Sequence, residues 1–368
     1  MIEKKYTFKT QEINEWLKNN NDVQVLTLEG TIDEDLFDSL NNVQLPVCIR
    51  KIVIGNISFP KTKNDYGYES DYLSHLYSRV YDDSTRLSIL NKVLSNSERI
   101  KSFIFKDGYV FSEDEKAIVH YPEKSEYIHL EGVEYIGNYA CCGYSSMNSV
   151  KFNNSLVEIG QLAFACCEKI VEINLPDSVR ILGDGAFCFT ACKNVKLSDN
   201  LETIPYACFY ITEIDEIHIP KSVKIIEDEA FVCGYWFGRV VIPEGVESIG
   251  YYSFPGLLYM KLPASLKKIA SSFYYEAPVD FEGCPPYIDI SPENKTFYSQ
   301  DGTLYYRDSN KLVLDSPFVR RPLSGYRCYY NDCKYDCNTC DYFKETSKDC
   351  PCFGYLSKKS ANCPYAGE

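Results

Sequence analysis

A short apolar phrase recurs along the middle of the chain at an almost constant interval. Each copy begins with Leu or Val, continues with x-x-Ile-Gly or a close variant, and ends in a small residue beside Phe and an apolar-x-apolar run. The first residues of successive copies are 23, 23, 22, 22, 23 and 20 positions apart. They are Val133, Leu156, Val179, Leu201, Val223, Val246 and Leu266. A fixed period of this length predicts a solenoid, in which each repeat packs only on its neighbours.

The pattern inside one repeat predicts how that repeat folds. An apolar-x-apolar run such as Ile173-Asn-Leu175 predicts a short strand whose two apolar side chains point inward. The glycine after the next apolar pair, as at Gly183, indicates a tight bend where a Cβ atom would crowd the chain. The small–large pair, as in Ala186-Phe187, predicts a short helical turn whose rings stack between repeats.

One copy, at 175–187, reads Leu-Pro-Asp-Ser-Val-Arg-Ile-Leu-Gly-Asp-Gly-Ala-Phe and resembles the BspA-type leucine-rich repeat family. Two Asp-Gly phrases, at 105–122 and 298–317, also recur in that family, and each predicts a hairpin. The resemblance covers about 103–317 and implies a right-handed, strand-rich, leucine-rich-repeat-like array of 20–23-residue repeats. It also implies a protein that binds other proteins, in many members at a cell surface, and that is not an enzyme.

The residues before the repeats are less regular and carry both helix and strand patterns. Ile13 and Leu17 share one face of a predicted helix. Val23–Leu28 and Cys48–Ile54 are rich in β-branched residues, which predicts strands. An open-ended solenoid exposes its terminal apolar face, so we interpret this part as a cap. The predicted division is a cap with degenerate repeats and helices at 1–102, the solenoid with a hairpin at each end at 103–317, and a Cys-rich tail at 318–368.

Two columns of side chains are expected on the outer side of the predicted strands, which is the default partner-binding face of a solenoid. Their mixed charges favour a solvated face whose members compensate one another. One column is Ser149, Glu172, Asn194, Glu216, Arg239 and Tyr259, and the other is Lys151, Asn174, Lys196, His218, Val241 and Lys261.

An aromatic cluster in the second half of the chain is the sharper candidate for a partner site, because Tyr and Trp commonly anchor interfaces. The same rings can instead stack on each other as repeat packing, and they can also hold a sugar. The cluster is Tyr235, Trp236, Tyr251, Tyr252, Tyr259, Tyr274 and Tyr275. Together with Lys196, His218 and Arg239 it is predicted to bind another protein; the sequence does not separate a protein from a glycan.

Fifteen of the 17 cysteines fall into two groups. Those of the repeats lie in or just after the small–large segment, where a buried thiol acts as a small apolar side chain. They are Cys141, Cys142, Cys166, Cys167, Cys188, Cys192, Cys208 and Cys233. We therefore predict a packing role for this group.

The second group crowds the tail, which has almost no aliphatic residues and so needs a cross-link or a metal to fold. Its Cys-x-x-Cys spacing suits zinc, which is our first interpretation. Disulfides would leave one thiol unpaired, and the Cys-x3-Cys-x2-Cys run at 333–340 would suit an iron–sulfur cluster. A radical S-adenosylmethionine enzyme is excluded, because only 28 residues follow that run. The predicted ligands are Cys328, Cys333, Cys337, Cys340, Cys350, Cys352 and Cys363.

The net charge and the absence of catalytic motifs exclude several classes of function. The net charge of −14 argues against nucleic acid and anionic membranes, which require clustered Lys and Arg. No apolar run resembles a leader or a membrane span, which predicts a cytoplasmic location, with the cell surface or secretion as the alternative. Gly-x-Ser-x-Gly, His-Glu-x-x-His and Gly-x4-Gly-Lys motifs are absent. We predict a non-enzymatic protein-binding scaffold with a metal-stabilised tail; the alternative is a metal or iron–sulfur redox protein whose solenoid selects its partner.

Overall fold

A computed structural model describes residues 1–8, 13–59, 62–63, 69–70, 87–122, 127–129, 131–214, 217–232, 238–255, 257–270, 274–275 and 287–314. The chain divides into two compact units, Met1–Ala191 and Cys192–Glu368. In each unit, short strands of successive coils pair in parallel, so the predicted solenoid is confirmed. The division predicted at 102/103 stays a prediction.

In the described part of the first unit, three short helices accompany the first coils. The helices are α1 (Ile13–Asn19), α2 (Glu34–Ser39) and α3 (Ile89–Ser95), and a 3-10 turn (Leu40–Asn42) follows α2. The strands are β1 (Glu3–Phe8), β2 (Val25–Thr31), β3 (Lys51–Ser58), β4 (Thr62–Lys63), β5 (Glu69–Ser70), β6 (Ser102–Lys106), β7 (Tyr109–Ser112), β8 (Ala117–His120), β9 (Tyr127–His129), β10 (Tyr135–Ile136), β11 (Ser149–Lys151), β12 (Glu158–Ile159), β13 (Glu172–Asn174) and β14 (Ile181–Leu182).

The amino-terminal strands belong to the sheet that continues into the repeats. Among the described residues this sheet has the order β1-β2-β3-β6-β7-β8-β10-β12-β14. The predicted helix is confirmed as α1, which buries Ile13 and Leu17. The two predicted strands are confirmed as β2 and β3, both of which begin slightly later than predicted. The cap thus extends one ladder of the solenoid by hydrogen-bonded strands.

The second unit contains the later coils and a terminal hairpin. Its strands are β15 (Asn194–Lys196), β16 (Thr203–Ile204), β17 (Ile225–Ile226), β18 (Gly238–Val241), β19 (Ser248–Ile249), β20 (Phe254–Pro255), β21 (Leu257–Leu262), β22 (Lys268–Ile269), β23 (Tyr274–Tyr275), β24 (Tyr287–Ile290), β25 (Phe297–Gln300), β26 (Thr303–Tyr306) and β27 (Leu312–Leu314). Within the described part of this unit, β18-β21-β24, β16-β17-β19-β22 and β25-β26-β27 are separate sheets.

Each coil has a first strand, which carries the apolar-x-apolar run, and a second strand, which ends at the Ile-Gly pair. In β13 the central Ile173 is fully buried between exposed Glu172 and Asn174, so the predicted alternation is confirmed. The second strands β10, β12 and β14 stack in parallel register. A Cβ atom on Gly183 would lie 2.3 Å from the backbone nitrogen of Gln161 in the preceding coil. The predicted crowding at this glycine is therefore confirmed.

The segment that follows the glycine is not the predicted helical turn. Leu162 and Cys166 have left-handed backbone, with φ of 52° and 58°. Such residues redirect the chain, so its N–H groups point to the next coil rather than along a helix axis. Three backbone N–H groups, those of Leu162, Phe164 and Cys166, donate to the carbonyl oxygens of Asp184, Ala186 and Cys188, each at 2.9 Å. A third ladder of hydrogen bonds therefore joins the coils here.

The large residue of the small–large pair forms a column of stacked rings, as predicted. In the first unit the ring centroids of Phe164 and Phe187 are 5.4 Å apart, with an interplanar angle of 4°. In the second unit Phe231 lies 5.6 Å from Phe209 and 5.4 Å from Phe254. All five rings are fully buried. The core of each unit is thus built from repeated aromatic contacts between neighbouring coils.

Both Asp-Gly phrases form the predicted hairpins. Asp107-Gly108 joins β6 to β7, with φ of 52° and 86°. Asp301-Gly302 joins β25 to β26, with φ of 51° and 80°. Positive φ at both central residues is typical of the type I′ turn, for which Asp-Gly is a preferred pair.

Candidate functional site

The outer face of the second unit consists of the exposed side chains of its first strands. In this unit the column that begins at Lys151 has four members, and all four are exposed: Lys196, His218, Val241 and Lys261. Val241 pairs with Lys261, and Lys261 pairs with Asp289 on the next strand. Val241 and Lys261 thus lie side by side on hydrogen-bonded strands, whereas the described residues form no strand at His218. In the first unit the corresponding positions, Lys151 and Asn174, are also exposed.

Tyr259 corrects the prediction for the other column. Its ring is 2% exposed, and its hydroxyl donates to Asp289 Oδ2 at 3.0 Å. A long aromatic side chain in a central strand lies beside the side chains of both neighbouring strands, so it can point outward and still be covered. The prediction that this ring is available to a partner is wrong. Of the remaining members, Ser149, Glu172 and Asn194 are exposed, Arg239 is described by its backbone alone, and Glu216 lies outside the described residues.

Ion pairs between coils of the second unit lie beside its first strands as well as beside its second strands, since Lys193, directly before β15, pairs with Glu213 at 3.0 Å. Near the second strands of the second unit, Lys224 pairs with Glu202 at 3.0 Å and Lys267 with Glu247 at 2.8 Å. On the outer face, no carboxylate of the described residues lies within ion-pair distance of the basic groups. Those groups belong to Lys196, His218 and Lys261. The outer face of the second unit therefore exposes Lys196 and Lys261 without an ion pair to a described carboxylate, in a chain whose net charge is −14.

The predicted aromatic cluster is only partly described. Tyr251 and Tyr252 are 51% and 41% exposed and follow the second strand β19, so they lie on a different segment of the coil from the outer face. Tyr274 and Tyr275 form β23, and their side chains are not described. Tyr235 and Trp236 lie outside the described residues. The described members therefore do not join the outer-face residues in one site.

Within the described part of the chain the repeat cysteines form no disulfide with one another, and most are buried. Cys166 is half-buried, and Cys233 lies outside the described residues. Burial raises the pKa of Cys141 and Cys142 to about 12, which keeps these thiols protonated at neutral pH. A protonated, buried thiol is inert, so the predicted packing role is confirmed for the buried members. These are Cys141, Cys142, Cys167, Cys188, Cys192 and Cys208.

The seven tail cysteines, from Cys328 to Cys363, lie outside the described residues. Within the part of the chain that is described, no group of three or more His, Cys, Asp or Glu side chains could hold a metal ion. Zinc, an iron–sulfur cluster and disulfides therefore stay predictions for the tail.

A buried polar cluster in the first unit was not predicted. Lys92 of α3 is 1% exposed, and its Nζ donates to Ala140 O at 3.0 Å and to Tyr144 Oη at 3.3 Å. Tyr144 Oη also lies 3.1 Å from His120 Nδ1. Burial, together with the nearby Lys92 charge, lowers the pKa of His120 to about 3. This histidine is therefore neutral at physiological pH and holds the cluster as a hydrogen-bonding group.

His120 gives the protein an expected pH dependence. Between pH 6.5 and about 3 the unfolded chain protonates this ring while the folded protein keeps it neutral, so stability falls as pH falls through that window. The loss approaches about 1.4 kcal/mol per pH unit. His120→Asn should flatten the slope of the unfolding free energy between pH 6.5 and 5, measured by urea titration. His218→Asn, at an exposed ring, is the matched control and should keep the slope; equal slopes in all three proteins would contradict the assignment.

A cleft of about 890 Å³ opens in the second unit, and no sequence motif indicated it. It lies between the second-strand sheet and β27, and buried Ile226, Ile249 and Ile269 line it. Ile225 is 41% exposed there. Leu312 adds another exposed apolar side chain. The cleft arises from strands distant in sequence, which explains why the repeat pattern did not reveal it.

Carboxylates mark one side of this cleft. Asp228 Oδ1 accepts a hydrogen bond from Tyr251 N at 2.7 Å, and Glu227 Oε2 accepts one from Tyr206 N at 2.9 Å. The neighbouring Glu229 accepts a hydrogen bond from the Tyr206 hydroxyl at 3.3 Å. Burial raises the pKa of both Glu229 and Tyr206, and Glu229 also raises that of Tyr206. The cleft therefore combines exposed apolar surface with the carboxylates of Glu227 and Asp228 and with two lysines, Lys268 and Lys311, which also line it.

Parallel short strands at 20–23-residue intervals and a buried phenylalanine column define a leucine-rich-repeat-like solenoid. Residues 119–234 and 236–281 match the family described as BspA type leucine rich repeat region, in six copies. The resemblance stated from the sequence is therefore confirmed for these residues. Such a repeat scaffold presents a surface suited to protein binding.

Solved structures of similar proteins are all distant in sequence. A leucine-rich repeat protein from Eubacterium ventriosum ATCC 27560 is 17% identical over 54% of this chain and 45% of that chain, with a TM-score of 0.30. A leucine rich cell surface protein from Faecalibacterium prausnitzii A2-165 is 15% identical over 74% and 52%, with a TM-score of 0.29. The pneumococcal vaccine antigen PcpA is 14% identical over 62% and 55%, with a TM-score of 0.28. The chain spans about half the length of these three structures.

A comparison with curated proteins gives no match. Among the described residues, no helix has both the length and the apolar character needed to cross a membrane.

Proposed function

We propose that this protein is a non-enzymatic scaffold that binds another protein on the outer face of its second unit. The observation that supports this proposal is a set of exposed basic side chains that form no ion pair with a described carboxylate, in a protein whose net charge is −14. Lys196, His218 and Lys261 are exposed and lack ion-pair partners among the described residues. A surface of this kind favours a partner that presents carboxylates, because complementary potentials speed encounter and fix the register of the complex.

The ladder beneath these side chains makes the face suitable for binding. Adjacent strands lie about 4.8 Å apart, so basic groups and the apolar Val241 stand at fixed intervals. Val241 is 51% exposed and supplies an apolar contact beside the Lys261 ammonium group. Since the backbone is already ordered by parallel pairing, binding loses little conformational entropy.

The test reverses charge on this face in the full-length protein. Lys196→Glu combined with Lys261→Glu should lower the amount of partner captured from a lysate of the source organism at least about tenfold, which corresponds to about 1.4 kcal/mol. The captured protein should have an acidic surface, and its binding should weaken as salt rises.

The matched control is Lys224→Glu combined with Lys267→Glu, which makes the same charge change beside the second strands. It should leave capture unchanged. Equal loss in both variants, or no loss in either, would refute the outer face as the site. A glycan is the other ligand class; salt-independent binding that both variants retain would indicate it.

We further propose that the tail cysteines bind zinc, on the basis of their Cys-x-x-Cys spacing. Elemental analysis of the purified protein should give about one or two zinc ions per chain, as a seven-thiolate set allows. Iron with acid-labile sulfide would instead support the redox alternative, in which the tail is the active part and the solenoid selects the partner. A cytoplasmic location, with the cell surface or secretion as the alternative, stays a prediction that cell fractionation tests.

A further inference from the structure

The cleft beside β27 carries opposite charges in equal number. Two carboxylates, those of Glu227 and Asp228, and two ammonium groups, those of Lys268 and Lys311, line it. Among the described residues none of these four groups belongs to an ion pair, whereas the adjacent Lys267 does. The charges of the lining therefore cancel. The cleft favours an occupant without net charge that offers both hydrogen-bond donors and acceptors.

The two carboxylates are held in place by the backbone. Tyr206 N donates to Glu227 Oε2 at 2.9 Å, and Tyr251 N donates to Asp228 Oδ1 at 2.7 Å. The second oxygen of each carboxylate makes no hydrogen bond to the described residues. An acceptor whose position is already fixed binds a donor with little further loss of conformational entropy. Hydroxyl groups suit this lining, because each can donate to a carboxylate and accept from a lysine ammonium group.

Aromatic and apolar side chains form much of the cleft. Tyr206, Tyr251 and Tyr306 line it, together with exposed Ile225 and Leu312. Tyr251 is 51% exposed, so its ring is accessible to a ligand. The face of an aromatic ring is electron-rich and attracts C–H groups, which many pyranose rings present on one side. The volume of about 890 Å³ lies within the range of about 300–1,000 Å³ typical of ligand sites.

Hydroxyl groups on a ring with an apolar side combine what each part of this lining requires. We propose that the cleft binds a neutral oligosaccharide, whose hydroxyls bond to the two carboxylates and the two lysines and whose ring stacks on Tyr251. A polypeptide is the less favourable occupant, because its charged side chains meet like as well as opposite charges there. The cleft is built from second strands and β27 rather than from the first strands of the outer face, so this site is additional to the protein-binding function proposed above.

An array of immobilised oligosaccharides tests this proposal with the full-length protein. The array carries neutral oligosaccharides of glucose, galactose, mannose and N-acetylglucosamine beside sialylated, sulfated and amino-sugar ones. The protein should bind at least one neutral oligosaccharide, and this binding should not weaken as salt rises. Binding to no member of the array, to charged members alone, or with an affinity that salt abolishes would overturn the proposal. The first of these results is the one expected if the cleft accepts a polypeptide.

Two variants test whether the bound sugar lies in the cleft. Tyr251→Ala should lower the affinity for the neutral oligosaccharide identified on the array about tenfold, measured by titration calorimetry, because a stacking ring is lost. Tyr252→Asn is the matched control and should keep the wild-type affinity. It removes a ring that is 41% exposed and does not line the cleft, and asparagine tolerates the φ of 49° there. Equal loss in both variants, or no loss in Tyr251→Ala, would refute the cleft as the sugar site.

A third variant separates this proposal from protein binding on the outer face. Lys196→Glu combined with Lys261→Glu reverses charge on that face and should leave the affinity for the oligosaccharide unchanged. Loss of sugar binding in this variant would place the sugar on the outer face and overturn the proposal.

Discussion

Replacing Phe231 with alanine is expected to lower the free energy of unfolding by about 3–5 kcal/mol, the range typical of a buried phenylalanine. The ring is fully buried between Phe209 and Phe254, at centroid distances of 5.6 and 5.4 Å. Truncation removes both stacking contacts and leaves a cavity. The coils cannot close that cavity easily, because Phe231 N is held to Ser253 O at 3.0 Å. Urea unfolding followed by far-UV circular dichroism measures the loss.

The control for Phe231 is Tyr251→Ala, which removes a 51% exposed ring from the next coil. Exposed positions away from specific interactions change stability by about 0.5 kcal/mol or less. A loss below about 1 kcal/mol for Phe231→Ala would mean that the coils collapse around the missing ring and that the aromatic column does not hold them.

Asn294→Ala is expected to cost about 3–4 kcal/mol, because one buried amide lies within hydrogen-bond distance of five backbone groups. The two hydrogens of its Nδ2 are shared among the carbonyl oxygens of Pro263, Ala264 and Leu266, at 3.1, 3.2 and 2.9 Å. Its Oδ1 accepts from the N–H groups of Thr296 and Phe297 at 2.9 and 2.7 Å. The side chain is 1% exposed, so water cannot easily replace these bonds. It therefore fastens the terminal hairpin to the last coil.

Two further variants make this test specific. Asn294→Asp keeps the two accepted bonds and loses the donated ones, so thermal denaturation should place it between the wild type and Asn294→Ala. Asn310→Gly changes an exposed asparagine in the same hairpin, whose Oδ1 accepts from the Tyr298 hydroxyl at 3.2 Å; because glycine tolerates the φ of 52° at this position, it should cost less than about 1 kcal/mol. Equal stability of the Asn294 and Asn310 variants would contradict the anchoring role.

Much of the fold could be predicted because the conformation of each repeat depends on residues that are close together in the sequence. The alternation around Ile173, the crowding at Gly183 and the turns at Asp107 and Asp301 follow from residue type and spacing over a few positions. The small–large segment was predicted wrongly as helical. Its short apolar pattern does not reveal that hydrogen bonds to the next coil hold Leu162 and Cys166 in left-handed conformations.

The candidate site could be predicted only in part. Lys196, His218 and Lys261 follow from strand alternation, and the structure places them in solvent as expected. The burial of Tyr259 could not be predicted from strand alternation. It depends on the strands beside this residue and on the hydrogen bond from its hydroxyl to Asp289. Charge compensation also depends on the distance between each lysine and the nearest carboxylate of a neighbouring coil. The order of residues in the sequence does not show that distance.

The sequence by itself determined the period, the inward and outward positions of the strands and the family that the repeats resemble. These features depend on residues that are close together within one repeat. The tertiary structure alone decided which cations remain unpaired, that His120 is buried beside Lys92, and that a cleft forms beside β27. These properties depend on side chains brought together from separate coils and from the cap. Stacking creates those contacts, and no single repeat contains them.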